Sequence, residues 1–189
     1  MAMPTMRRQW TVDDLLDLPD DGNRYEVLDG ELLVTPAPSL PHQRAVALLL
    51  RILSDYLARQ SEPIGEALMA PADIVFSSRR LVQPDVFVLP FVSEQRRASR
   101  FQDVGRLLLA AEVLSPSTAR VDRVEKRRAY REQGVPVYWI VDLDARTFER
   151  SMPADERVEV LDIRIDWSPA GAAEPLRIDI EAFFRDVLD

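Results

Sequence analysis

The stretch from Leu107 to Asp142 limits the fold more than any other part of this sequence. Leu107-Leu108-Leu109-Ala110-Ala111-Glu112-Val113-Leu114 is an apolar run of strand length. Ser115-Pro116-Ser117-Thr118 breaks it and supplies helix caps. A polar helix is predicted from about Arg120 to Gln133, stopped by Gly134. Val137-Tyr138-Trp139-Ile140-Val141-Asp142 is a second buried strand. A strand, a helix of that length and another strand make a βαβ unit. Its strands lie parallel and adjacent, joined by a right-handed crossover. The fold class is therefore α/β.

The rest of the chain is read around this unit. Thr11 caps a short helix with Asp14 at its third position. Asp29-Gly30 lies between Tyr25–Leu28 and Glu31–Val34, a β-hairpin signal, because a type I′ turn needs positive φ at both central residues. After Pro36, Pro38 and Pro41 a long helix is predicted from His42 to Gln60, with Ala45, Leu49, Ile52, Leu53 and Tyr56 on one face. Strands are predicted at Glu66–Met69, Ala72–Phe76 and Asp85–Leu89, the last two separated by a polar turn at Ser77–Arg80. Residues 90–105, with Arg96, Arg97 and Arg100, read as a loop or irregular helix. Phe148–Arg150 and Val158–Ile165 read as edge strands. Ile180, Phe183, Phe184, Val187 and Leu188 mark a closing amphipathic helix. The expectation is a mixed central sheet with the long helix on one face and the crossover helix on the other. The 189 residues fit one domain.

Composition removes several classes of function. At 47% hydrophobic residues the chain is too apolar for intrinsic disorder. No apolar run approaches the roughly 18 residues of a membrane span, and no apolar leader is visible, so a cytoplasmic protein without membrane association is expected. Zero cysteines exclude disulfides, a thiolate nucleophile and zinc–cysteine sites. The net charge of -8 argues against a general nucleic-acid binder. The charge is unevenly spread, however. Between Arg79 and Arg131 there are 12 Lys+Arg and 6 Asp+Glu, so the middle of the chain is basic.

Three residues in that basic segment stand out. Asp85, after Pro84, opens an apolar strand; taken alone it is equally a turn residue. Glu112 is a charge inside an apolar strand, costly unless paired or bound to a cation, so it is either half of a structural ion pair or a ligand. Carboxylates from two neighbouring strands suit Mg²⁺, which prefers oxygen ligands. Lys126 is the only lysine among 24 basic residues. A lysine ammonium is a compact donor where an arginine is a planar fork, although an exposed Lys126 would need no such role. Asp122, Lys126 and Tyr130 recur at i, i+4 and i+8, which also allows plain salt bridging. His42 is the one histidine and opens the long helix. Alternation leaves Glu26 and Glu31 on a solvated hairpin face. There is no glycine-rich phosphate loop, HExxH or nucleophile elbow.

In order and spacing these segments resemble the Uma-type restriction endonuclease family of the PD-(D/E)XK nuclease superfamily. The matching residues are Tyr25–Leu32, His42, Pro84-Asp85-Val86, Glu112 through Thr118, Asp122, Lys126, Tyr130, Gly134-Val135 and Tyr138–Asp142. The resemblance implies a restriction-endonuclease-like α-β-β-β-α-β core over about 42–142, with an N-terminal hairpin and a C-terminal helix. It also implies metal-dependent hydrolysis of DNA phosphodiester bonds. Asp85, Glu112 and the Val113 carbonyl would hold Mg²⁺ or Mn²⁺, and Lys126 would act beside them. Glu31, His42, Asp122 and Tyr130 would be accessory. The superfamily's usual lysine position holds Leu114, a departure that Lys126 would make good from the following helix. A non-catalytic nucleic-acid-binding or regulatory protein is the alternative, and the acidic total also suits a protein-interaction domain. A twofold homodimer is the simplest way to cut both strands of a duplex.

Overall fold

The computed structural model describes residues 8–91 and 104–189, so most of the predicted 90–105 loop lies outside the described residues. The chain begins with a 3-10 turn, Asp13–Asp17, where Asp14 Oδ2 accepts from both the Thr11 N–H and the Thr11 hydroxyl at 2.7 Å. Strands β1 (Arg24–Leu28) and β2 (Glu31–Thr35) follow, and the pairing Leu28↔Glu31 leaves Asp29-Gly30 as the turn. Its φ values of 51° and 85° are those a type I′ turn requires. Helix α1 runs Leu40–Ala58, capped by Ser39, whose side chain accepts from the His42 N–H.

Strands β3 (Gly65–Met69), β4 (Ile74–Ser77), β5 (Arg80–Val82), β6 (Val86–Pro90) and β7 (Leu109–Val113) come next. The predicted crossover helix is two pieces, a π turn at Val121–Lys126 that continues into α2 (Arg127–Glu132). After it come β8 (Tyr138–Asp142), β9 (Thr147–Ser151), β10 (Glu159–Leu161), β11 (Arg164–Trp167), β12 (Leu176–Asp179) and α3 (Ile180–Leu188).

The central sheet has the order β10-β9-β8-β7-β6-β3. Its β7–β8 pair is parallel, and the other described pairs are antiparallel. The path α1-β3-β6-β7-α2-β8 is the expected core. Three strands depart from expectation. Ala72–Phe76 contributes β4, which leaves the central sheet and joins the hairpin in a second sheet, β2-β1-β5-β4. The strand that links them, β5, is three residues long and was hidden behind the predicted polar turn. Phe148–Arg150 is an inner strand, because β10 pairs outside it, and Val158–Ile165 splits between β10 and the separate ribbon β11–β12.

Period-2 alternation divides the sheet residues between two cores. Val86, Val88, Leu109, Ala111, Val113, Trp139 and Val141 pack with Ala45, Leu49 and Leu53 of α1 and with Phe183, Phe184 and Val187 of α3. Phe87, Leu89, Ala110, Tyr138 and Ile140 face the other way, onto Ala129 and Tyr130 of α2 and onto Leu28, Ile74 and Val82 of the second sheet. Glu112, two residues after Ala110, shares this second face. No helix among the described residues is long and apolar enough to cross a membrane.

The β3–β6 pair depends on a glycine. A Cβ on Gly65 would stand 2.4 Å from the Leu89 carbonyl oxygen, a backbone atom that moves only with its strand. Gly65→Ala is expected to cost about 1–3 kcal/mol by overpacking. Urea unfolding checks this; an unchanged midpoint would contradict the contact.

Candidate active site

Strand register makes Asp85 and Glu112 neighbours. β6 and β7 pair antiparallel with Val86↔Ala111, and the same register continued by one residue sets Asp85 opposite Glu112. Residues directly opposite project to one face with Cβ atoms about 5 Å apart. The Val113 N–H donates to Asp85 Oδ2 at 2.9 Å, which fixes the carboxylate against β7. Both acids are buried, at 3% and 2% exposure.

The crossover brings the lysine. Lys126 Nζ lies 3.0 Å from Glu112 Oε1, 3.0 Å from Glu26 Oε2 and 3.5 Å from Asp122 Oδ1. The Tyr130 hydroxyl donates to the same Glu112 oxygen at 3.1 Å. Asp122, Lys126 and Tyr130, which recur along one stripe, are all buried. The π turn was not predicted. Its wider winding suits two residues four apart both pointing inward, and such turns occur often at functional sites.

The second sheet supplies two groups that sequence reasoning missed. Glu26 is buried, not solvated: β1 has partners on both edges, and its inner face is closed by the crossover helix. Glu26 Oε1 accepts from the Gln83 N–H at 2.7 Å while its other oxygen meets Lys126. Arg24 Nη1 lies 2.7 Å from Asp85 Oδ1. Nothing local in the sequence marks Arg24. From α1, His42 Nε2 lies 3.1 Å from Asp85 Oδ2. Glu31 does not join this group; it is exposed at the start of β2.

The cluster shifts its own ionisations. Burial pushes the Asp85 carboxyl up, but the hydrogen bond and charge of His42 and the charge of Arg24 outweigh it and hold the group at about 2. Glu112 goes the other way, well above the ordinary range: burial raises it, Lys126 pulls it down only in part, and Asp85, Asp122 and Glu26 push it higher. Burial likewise raises Asp122. Burial alone would lower Lys126, yet the carboxylates around it dominate and raise it well above normal, so it stays an ammonium.

Arg24, His42, Asp85, Glu112, Asp122 and Lys126 all line a cavity of about 530 Å³, closed on one side by Ser115-Pro116-Ser117-Thr118 and on another by Asp142 and Arg123. Arg123 is pinned there by Asp142 and Glu149, both at 2.6 Å. Glu26, Asp85, Glu112 and Asp122 outnumber the cations Arg24 and Lys126. His42 Nδ1 and Asp122 Oδ1 are buried without hydrogen-bond partners among the described residues. Oxygen donors with surplus negative charge fit a hard divalent cation. Among the described residues, no three His, Cys, Asp or Glu side chains already stand in a metal-holding group.

A mixed sheet with an α-β-β-β-α-β core and two acids on adjacent central strands defines the restriction-endonuclease-like class. Residues 12–174 match the Uma2 family, described as "Putative restriction endonuclease", and the chain belongs to that family. No curated protein matches the sequence. Among solved structures, the chain is similar to a "putative nuclease belonging to DUF820 from Anabaena variabilis ATCC 29413", with a TM-score of 0.78 and 21% identity. That match covers 94% of this chain and 99% of the other. At such identity the likeness is one of fold.

Proposed function

We propose that this protein is a metal-dependent DNA endonuclease, with the whole chain 1–189 acting as one nuclease-like domain. One observation carries the reading: Asp85 and Glu112 project side by side from central strands into an open cavity, with the only lysine of the chain 3.0 Å from Glu112. Asp85, Glu112 and the Val113 carbonyl would hold Mg²⁺ or Mn²⁺. When bound, such an ion polarises a scissile phosphate and acidifies the attacking water.

The chain's own groups do the rest. Asp85, with its carboxyl near 2, stays anionic at neutral pH. Lys126 is held charged, so it acts as a donor, orienting water and offsetting negative charge on the phosphorane-like transition state. Removing a proton from water is not a task this lysine suits. Tyr130 and Glu26 fix the Glu112 carboxylate and the ammonium in place. Arg24 and His42, at the cavity wall, offer positive or neutral donors to phosphate oxygens.

The test is cleavage of duplex DNA with Mg²⁺ or Mn²⁺. Wild type is expected to cut, and Asp85→Ala and Glu112→Gln are each expected to slow cutting by about 10²–10³-fold, with circular dichroism confirming folding. Cleavage that survives both Asp85→Ala and Lys126→Ala overturns the assignment. Metal-independent DNA binding without cleavage would instead support a non-catalytic descendant in which Leu114 has replaced the usual lysine.

A further inference from the structure

A second cavity, of about 280 Å³, opens on the outer side of the crossover helix. Arg127, Arg128 and Arg131 line it from the helix, and Arg157 lines it from the turn after β9. The helix separates this groove from the carboxylate cavity: Asp122, Arg123 and Lys126 line one, Val124 and Arg127 the other.

Several arginines, among them Arg44, Arg51, Arg59, Arg177 and Arg185, pair with no carboxylate among the described residues; what sets Arg127, Arg131 and Arg157 apart is that they combine this with lining a single cavity. Arg24, Arg80, Arg123, Arg128, Arg146, Arg150 and Arg164 all pair with carboxylates. Arg127, Arg131 and Arg157 have no such partner among the described residues, and neither does exposed Arg120 at the cavity end of the same helix. In a chain with 32 acids against 24 bases, unpaired guanidiniums facing one groove are not forced by a shortage of carboxylates. From Arg120 to Arg131 the helix advances somewhat less than the ~16 Å of a pure α-helix, because Val121–Lys126 is a π turn, and so spans roughly four to five nucleotides of one duplex strand.

We propose that this groove is a second nucleic-acid contact surface, where Arg127, Arg131 and Arg157 grip the phosphate backbone of a strand whose other part lies at the carboxylate cavity. Guanidinium forks match phosphate oxygens two at a time. Asp155 and Glu156 also line the groove, and the Asp155 carboxylate accepts from the Met152 N–H. Their charge weakens a site for one isolated phosphate and favours a polyanion that meets several arginines in series. An acidic peptide would bring carboxylates with no fixed spacing along the helix, so nucleic acid is the better match. The inference rests on the nucleic-acid reading of the neighbouring cavity, but not on cleavage.

The experiment measures binding of a labelled 20-base-pair duplex to the full chain by fluorescence anisotropy across a salt series. The triple variant Arg127→Ala/Arg131→Ala/Arg157→Ala is expected to bind at least 10-fold more weakly near 0.1 M salt. Its slope of log affinity against log salt should fall by about 2–3, one phosphate contact per arginine removed. Arg→Lys at the same positions should recover most of the slope, because phosphate contacts need charge first. An unchanged slope in a folded triple variant overturns the groove. Equal loss of heparin binding with no DNA binding by wild type overturns nucleic acid as the occupant. Glu112→Gln separates the two claims. If neither it nor wild type cleaves, yet the arginine-dependent slope remains, the groove stands and the endonuclease reading falls. If wild type cleaves and the triple variant binds and cleaves normally, the reverse holds.

Discussion

Lys126→Met should unfold in urea about 3–5 kcal/mol more easily than wild type at pH 8, and the deficit should shrink as the pH falls towards 4. Lys126 is 4% exposed and lies between Glu26, Glu112 and Asp122. Removing one partner of a buried ionic group leaves uncompensated charge, which costs several kcal/mol. The pH dependence follows from linkage. Burial already raises Glu112 and Asp122 above their ordinary 4.5 and 3.8, and Lys126 is the group that opposes that rise. Without it their folded values climb further. A carboxyl raised in the folded state carries no penalty below its unfolded value, and the penalty grows as pH climbs through the folded one. The variant is therefore weakest at high pH. Glu26→Gln should destabilise wild type but cost less, or stabilise, in the Lys126→Met background, a coupling read from the double-mutant cycle. Equal effects at pH 5 and pH 8 would show that the carboxylates do not depend on the lysine.

The second large effect belongs to the opposite face of the sheet. Trp139 is fully buried, edge-on to Phe148 at 6.2 Å and to Trp167 at 6.4 Å. Trp139→Ala should cost about 3–5 kcal/mol through lost burial and the cavity left behind. For a chain of this size that is a drop in Tm of roughly 6–20 °C. Trp139→Phe should be far milder. The indole N–H has no hydrogen-bond partner among the described residues, so its removal offsets part of the lost contact area. Thermal unfolding of both variants checks the pair. A Trp139→Phe protein as weak as Trp139→Ala would mean that the indole N–H is satisfied after all. Because Trp139 points towards α1 and α3, neither change touches the carboxylate cluster directly.

The two variants sit on parts of the protein that were unequally legible in the sequence. The βαβ unit was plain because its strands are apolar but for Glu112 and the terminal Asp142, and its helix has clear stops. Asp85, Glu112 and Lys126 stood out for a related reason: a charge is conspicuous inside an apolar strand, and a lysine is conspicuous among arginines. The second sheet was not readable. Its linking strand, β5, is three residues long, and β1 carries Glu26 where polar-out alternation predicts water. That rule assumes one wet face, and burial of Glu26 by the crossover helix removes it. Arg24 has no local signature, because its importance comes from Asp85, 61 residues away. The π turn was also hidden, since i, i+4 spacing serves an α-helix equally well. Glu31 was named through the family resemblance; it stands opposite Leu28 in the hairpin register, yet it is exposed at the start of β2.

The split origin of the cluster has a consequence for synthesis. Glu26 meets a lysine 100 residues later, and the β1 hairpin leaves the ribosome well before the crossover helix exists. At 5–20 residues per second the interval is roughly 5–20 s. During that time Glu26 and Arg24 have no lysine or crossover helix to close over them, and the pocket cannot assemble from the first half of the chain. On the proposed assignment of Asp85, Glu112 and Lys126, nascent fragments ending before Lys126 should therefore be inert towards nucleic acid cleavage, and the site would be complete only after all three have emerged.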